Sequence, residues 1–352
     1  MKSLMGLFIF MFFSVAVCGQ HIIDKEVHLK NIRQLTFGGD NAEAYFSPCG
    51  KYLVFQSNNP KWGLECDHIF FMDIEEAADN PNYEPVMISN GQGRTTCSYF
   101  MPGGNRILFA STHEGGVKCP HTPNLRRDGK YLWPIFDTYN IYTADKDGSN
   151  LMKLTDNRGY DAEATVSPDG QWIVFTSLRS GDLDLWLMRP DGSGLRQITN
   201  RVGYDGGAFF SPDSKRLVFR SSAFKNDEEI EEYKQLLKEG LVAPTNMEIH
   251  VCDIDGNNLR QVTNLGKANW APYFHPSGEK IIFSSNHHSD KGWDFQLYMI
   301  NVDGTGLEQI TFESIFNAFP MFSPDGKNLV FSSNRNNSGT RDTNIFIADW
   351  VD

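Results

Sequence analysis

Two glutamates, Glu43 and Glu163, stand at equivalent points of the chain, each five residues before a proline that opens a turn, Pro48 or Pro168. Two residues before each lies a short polar side chain. That polar position recurs six times, seven residues before a turn proline, as Asn41, Thr95, Asp161, Asp205, Asn269 and Asn317. Glu43, Glu163, Asp161 and Asp205 together would make an acidic mouth that attracts a cation or a basic peptide. Short polar side chains also hydrogen-bond the backbone of their own turns. Arg94, Arg158 and Arg201 fall in the same class of loop and could neutralise the acids. The candidate ligand-binding residues are therefore Asn41, Glu43, Arg94, Asp161, Glu163, Asp205, Asn269, Trp270 and Asn317. Trp133 joins them from the run Tyr131-Leu132-Trp133-Pro134-Ile135-Phe136, which reads as an aromatic platform for sugar or peptide, or as a plug that seats its loop in the body.

Other chemistries find less support. No nucleophile elbow, HExxH or phosphate-binding glycine loop is present. His68, His113, His121, His287 and His288 fall in one class of loop, whereas His275 sits in a turn at the other end of a strand. A six-residue strand separates those ends by ~20 Å, so His275 cannot share a metal with His287 or His288. His68, His113 and His121 could approach one another, but scattered loop histidines are more often solvated, and neither a metal nor a cofactor is expected. No cysteine pair has zinc spacing. Cys66, Cys97 and Cys119 lie on one face in adjacent repeats, so one disulfide among the three is expected; Cys49 and Cys252 are expected to be free.

The elements that carry these residues repeat. The turns are Ser47-Pro48-Cys49-Gly50, Met101-Pro102-Gly103-Gly104, Ser167-Pro168-Asp169-Gly170, Ser211-Pro212-Asp213-Ser214, His275-Pro276-Ser277-Gly278 and Ser323-Pro324-Asp325-Gly326. An apolar strand A precedes each turn. Strand B follows, reaching Phe55, Phe109, Phe175, Phe219, Phe283 or Phe331 and, two residues later, serine. Strand C ends in Asp-Gly hairpin turns such as Asp191-Gly192. Strand D closes on Leu154-Thr155, Ile198-Thr199, Val262-Thr263 and Ile310-Thr311. Four strands per unit and six units predict an all-β fold, a six-bladed β-propeller.

The sixth unit lacks strand D before the chain stops at Asp352. Ile32-Arg33-Gln34-Leu35-Thr36 matches Leu195-Arg196-Gln197-Ile198-Thr199, so the N-terminal strand is expected to complete the last blade and close the ring. The phrase from Ser167-Pro168-Asp169-Gly170 to Ile198-Thr199 resembles the TolB-type propeller repeat of exported bacterial proteins, over about residues 30–352. The resemblance implies the fold and an exported setting. The α/β domain that precedes the propeller in TolB has no counterpart here, so roles requiring it do not carry over.

The remaining expectations concern setting and surface. Residues 1–19, with Lys2 ahead of the apolar run Leu4 to Val17, read as a signal peptide, followed by one propeller domain over 20–352. Cys18 allows a lipid-anchored variant of that export. The 352 residues carry a net charge of −12, with 13% aromatic residues. That balance argues against nucleic acid, and no mature segment is apolar for long enough to span a membrane. Insertions at 58–67, 112–138 and 222–246 all interrupt the B–C connection and so rise from one face, where binding usually resides. Asn226 and Glu229 cap a helix in the last of them. The expected function is an exported, monomeric, non-enzymatic propeller that binds a protein, peptide or glycan on this face. The alternative is a carbohydrate-active enzyme, a metal-assisted lyase or hydrolase, using the same face.

Overall fold

The computed structural model describes residues 25–352. The expected signal peptide and Cys18 lie outside the described residues. Six four-stranded antiparallel sheets form the blades of a propeller. Strands A to D of blade 3, for example, are Asp161–Val166, Ile173–Ser177, Asp184–Met188 and Arg196–Gln197. The inner strands are buried on both faces, so they read as continuous apolar runs rather than alternating ones. Phe55, Phe109, Phe175, Phe219, Phe283 and Phe331 are each at most 1% exposed, packing blade against blade.

The Thr that ends each strand D has a definite task. Its hydroxyl oxygen accepts the N–H that opens strand C: Thr155 from Ile141, Thr199 from Leu185, Thr263 from Ile249 and Thr311 from Leu297, at 2.8–2.9 Å. In blade 1 Ser89 serves Ile69 at 3.1 Å. A two-residue outer strand cannot supply these bonds from its backbone alone, so the side chain extends the ladder.

The same bond proves the closure. Thr36 accepts from Ile345 at 2.9 Å, across 309 residues of sequence. Leu29–Gln34 pairs antiparallel with Asn344–Trp350 as the outer strand of blade 6. A second fastening was not foreseen. Glu26 meets Arg335 at 3.2 Å with both side chains 2% exposed, and also accepts the backbone N–H of Phe312 and Glu313.

Every strand A contains a bulge, marked by a register shift, at residues 42–45, 96–99, 162–165, 206–209, 270–273 and 318–321. At its centre stand Glu43, Cys97, Glu163, Gly207, Ala271 and Phe319, all left-handed with φ between 47° and 60°. A bulge re-aims one side chain, and here it turns that side chain into the central channel. A layer below, Tyr45, Tyr99, Phe209 and Tyr273 meet edge to face or tilted at 5.2–6.1 Å and plug the channel. Because the seam fixes the whole ring, deleting residues 25–36 is expected to abolish cooperative unfolding or lower Tm by more than 10 °C. Arg335→Met, which strands a buried carboxylate, should cost about 3–5 kcal/mol by chemical denaturation.

A roofed cavity at one mouth of the channel

The aromatic plug leaves a cavity of about 360 Å³ on the insertion face, within the size range of small-ligand pockets. Its floor is the ring of six left-handed residues. Its walls and roof include Asp67, Arg94, Tyr131, Trp133, Phe136, Tyr139, Tyr160, Tyr204, Arg220 and Trp270.

The roof is built by the insertions, which are joined to one another. Trp133-Pro134 of the blade 2 insertion pairs as a short strand with Leu241–Val242 of the blade 4 insertion. Arg127 and Lys130 form ion pairs with Glu239 and Glu232, at 2.7 and 2.5 Å. The helix Asp227–Lys238 starts where Asn226 accepts the Glu229 N–H, and buries Tyr233 and Leu236. Leu132, Leu236 and Leu241 share a small core of their own. The Tyr131–Phe136 run seats its loop in the body through Leu132 and Ile135, which are buried, while Trp133 lines the cavity. The Cys66–Cys119 disulfide ties the blade 1 insertion to that of blade 2. Cys49, Cys97 and Cys252 are free thiols.

Charge in the cavity is nearly balanced. Glu163 is ion-paired with Arg220 and accepts from Tyr204, Thr176 and the Gly207 N–H at 2.7, 2.8 and 3.0 Å. Burial alone would raise this carboxyl, but Arg220 and the hydrogen bonds outweigh it and hold it below its ordinary range. Arg220 stacks beneath Trp133, 5.2 Å from its ring centre. Asp67 is paired with Arg94 at 2.5 Å. Glu43 has neither an ion pair nor a hydrogen bond from a side chain that meets normal geometry among the described residues. Burial, with Glu163 nearby, pushes its carboxyl up to about 7, and the adjacent Cys97 thiol opposes the rise.

The structure sorts the candidate residues into two groups. Glu43, Arg94, Trp133, Glu163 and Trp270 come together in the cavity. Asn41, Asp161, Asp205, Asn269 and Asn317 are at most 1% exposed and line no part of it. Their side chains latch neighbouring loops. Asn269 donates to the carbonyls of Met247 and Gly266, and Asp161 accepts from Ser177 and Arg179. Burial lifts Asp205 to about 6 against the hydrogen bond from Ser221. The acidic mouth therefore reduces to Glu43, Glu163 and Asp67. Of the three arginines read as neutralising these acids, Arg94 pairs with Asp67 and Arg201 lies 3.6 Å from Asp205, whereas the partner of Glu163 is Arg220. A signal for it was present: the residue before the last serine of strand B is Gln56, Ala110, Thr176, Arg220, Ser284 or Ser332, and only one of these is charged. His113 and His287 each bond the preceding strand-end serine and pack on Tyr142 or Tyr298. Among the described residues no three His, Cys, Asp or Glu side chains stand close enough together to hold a metal ion.

The TolB beta propeller domain pattern matches residues 122–235 and 241–341, more than half of the chain. The chain belongs to that family. An uncharacterized protein of Agrobacterium fabrum is 28% identical over 262 residues, 68% of this chain and 64% of the relative, so the chain spans less than two thirds of that relative's length. Among solved structures, a putative TolB from Agrobacterium tumefaciens superposes with a TM-score of 0.58 at 19% identity, covering 89% of this chain and 91% of the other. TolB from Acinetobacter baumannii gives 0.55 at 15%, covering 88% and 63%. An oligogalacturonate lyase in complex with manganese gives 0.53 at 12%, covering 91% and 93%. At these identities the structures share the fold. No helix among the described residues is long and apolar enough to cross a membrane.

Three outcomes test the site's construction. Arg220→Met should destabilise the fold by about 3–5 kcal/mol, because it leaves Glu163 buried and unpaired. Glu43 behaves oppositely. Its folded-state pKa lies above the ordinary value, so its contribution to stability is lost as pH rises from about 4.5 through about 7. Glu43→Gln should therefore raise Tm by a few degrees at pH 8 and leave it nearly unchanged at pH 5, by calorimetry. Finally, reducing Cys66–Cys119, which spans 53 residues, should expose residues 112–138 to limited proteolysis before the blades unfold.

Proposed function

We propose that this chain is an exported binding module that takes part of a protein, peptide or glycan into the roofed cavity on its insertion face. The observation that carries this reading is the roof itself. Three insertions from separate blades are bonded to one another by a disulfide, a strand pair and two ion pairs. They hold Trp133 and Tyr131 over a floor that the blades alone would leave open. Aromatic walls with a few placed polar groups are the usual make-up of a ligand site, and aromatic side chains give contact area at small entropic cost.

The family match and the apolar N-terminal run support an exported setting. A second reading, a carbohydrate-active enzyme, has one observation in its favour: a carboxyl near pKa 7 is suited to proton transfer at neutral pH. The test is binding to arrays of peptides and oligosaccharides by the folded protein and by Trp133→Ala. Loss of at least tenfold in affinity with an unchanged fold is expected. Equal binding by the two proteins would remove the cavity as the site. Product formation from acidic oligosaccharides that stops in Glu43→Gln would establish the enzyme instead.

A further inference from the structure

The cavity holds one carboxylate more than its own cations neutralise. Arg220 is committed to Glu163 and Arg94 to Asp67, and Glu43 is left over. The neighbouring groups do not change that count: burial pushes the thiol of Cys97 and the hydroxyls of Tyr45, Tyr139 and Tyr160 well above their ordinary ranges, so all four stay neutral. Glu43 itself lines the cavity, so a group placed in that space can reach it.

We propose that the cavity recognises its ligand through a primary ammonium or guanidinium group that ion-pairs with Glu43. This rests on the reading of the cavity as a binding site and narrows it to a cationic ligand. A neutral sugar hydroxyl could bond Glu43, but it would leave the extra negative charge in a poorly solvated pocket. A cation cancels it, and charge-assisted bonds are about twice as strong as neutral ones. The aromatic roof suits the rest of such a group, since an alkyl stem packs against the rings while its head reaches the floor. The face of Trp133 is already taken by Arg220, so Glu43 rather than a cation–π contact selects the charge. The group could be the side chain of a lysine or arginine in a peptide, or a free diamine.

The experiment is calorimetric titration of the folded protein with a blocked Gly-Lys-Gly peptide, its Nε-acetylated form, cadaverine and a neutral oligosaccharide. Binding of the lysyl peptide or of cadaverine is expected, and which of them binds more tightly identifies the source. The acetylated peptide should bind at least tenfold more weakly. Lysine stays protonated across this range, so affinity should rise about tenfold between pH 6 and pH 8 as Glu43 ionises. Glu43→Asn, a residue at ease at positive φ, should remove both the affinity and the pH dependence while circular dichroism shows an intact fold. Equal binding of the acetylated peptide, or equal binding by Glu43→Asn, overturns the proposal. Binding of the oligosaccharide alone, lost in Trp133→Ala, overturns it while leaving the cavity as a binding site. Binding of none of the four overturns the cation, and the Trp133→Ala comparison on the arrays then judges the cavity by itself.

Discussion

The seam between the last blade and the first governs everything else, because a blade has no core of its own. Each sheet is covered only by its two neighbours, so an open ring would leave two large apolar faces in water. The chain closes the ring with backbone pairing between Leu29–Gln34 and Asn344–Trp350, with the Thr36 hydroxyl, and with the buried Glu26–Arg335 pair. The six strands A then converge at fixed spacing, the plug forms at their centre, and the cavity has a floor. Without that constraint neither the bulge ring nor the roof would have a defined place.

Glu43 and Glu163 show how little backbone separates a carboxyl built into the frame from one left without a partner. They occupy the same bulge in blades 1 and 3, with φ of 54° and 58°. One became part of the frame because the neighbouring blade supplies Arg220. For the other, the equivalent position in blade 2 is Ala110, and no cation arrives from that side. The first carboxyl is held ionised; the second, pushed up to about 7, gains and loses its proton near physiological pH. A group that weakens the empty fold and is nonetheless carried at the centre of a cavity is the usual mark of a site kept for something other than stability.

The architecture was legible because its signals are local and repeated: proline turns, apolar strands, Asp-Gly hairpins and the Leu-Thr or Ile-Thr endings each report on a few residues. Even the closure could be read, since Ile32–Thr36 copies a strand whose role was clear elsewhere. The site was harder. Asn41 and Asn269 looked like ligand groups because they are polar and regularly placed, but regularity belongs to the frame: a hydrogen-bond latch needed at every blade recurs at every blade. The irregular residues were the informative ones. Arg220 was visible as a departure and passed over, and the Trp133–Val242 strand pair could not be seen, because two-residue strands 109 positions apart leave no pattern in sequence. The disulfide was confined to three cysteines, and only the path of the insertions chose Cys66 and Cys119.

The bulge ring has a consequence for how this surface can vary. All six blades already accept a left-handed residue at the same point, and the six present occupants include an acid, a thiol, a bare glycine and a phenylalanine. Two of the six are tied to the frame: Glu163 holds Arg220, and a Cβ at Gly207 would overlap the same guanidinium. The other four, Glu43, Cys97, Ala271 and Phe319, face a common centre, and each can be rewritten without redrawing the sheet beneath it. A new selectivity could be composed as a short word of four letters, with the scaffold left untouched.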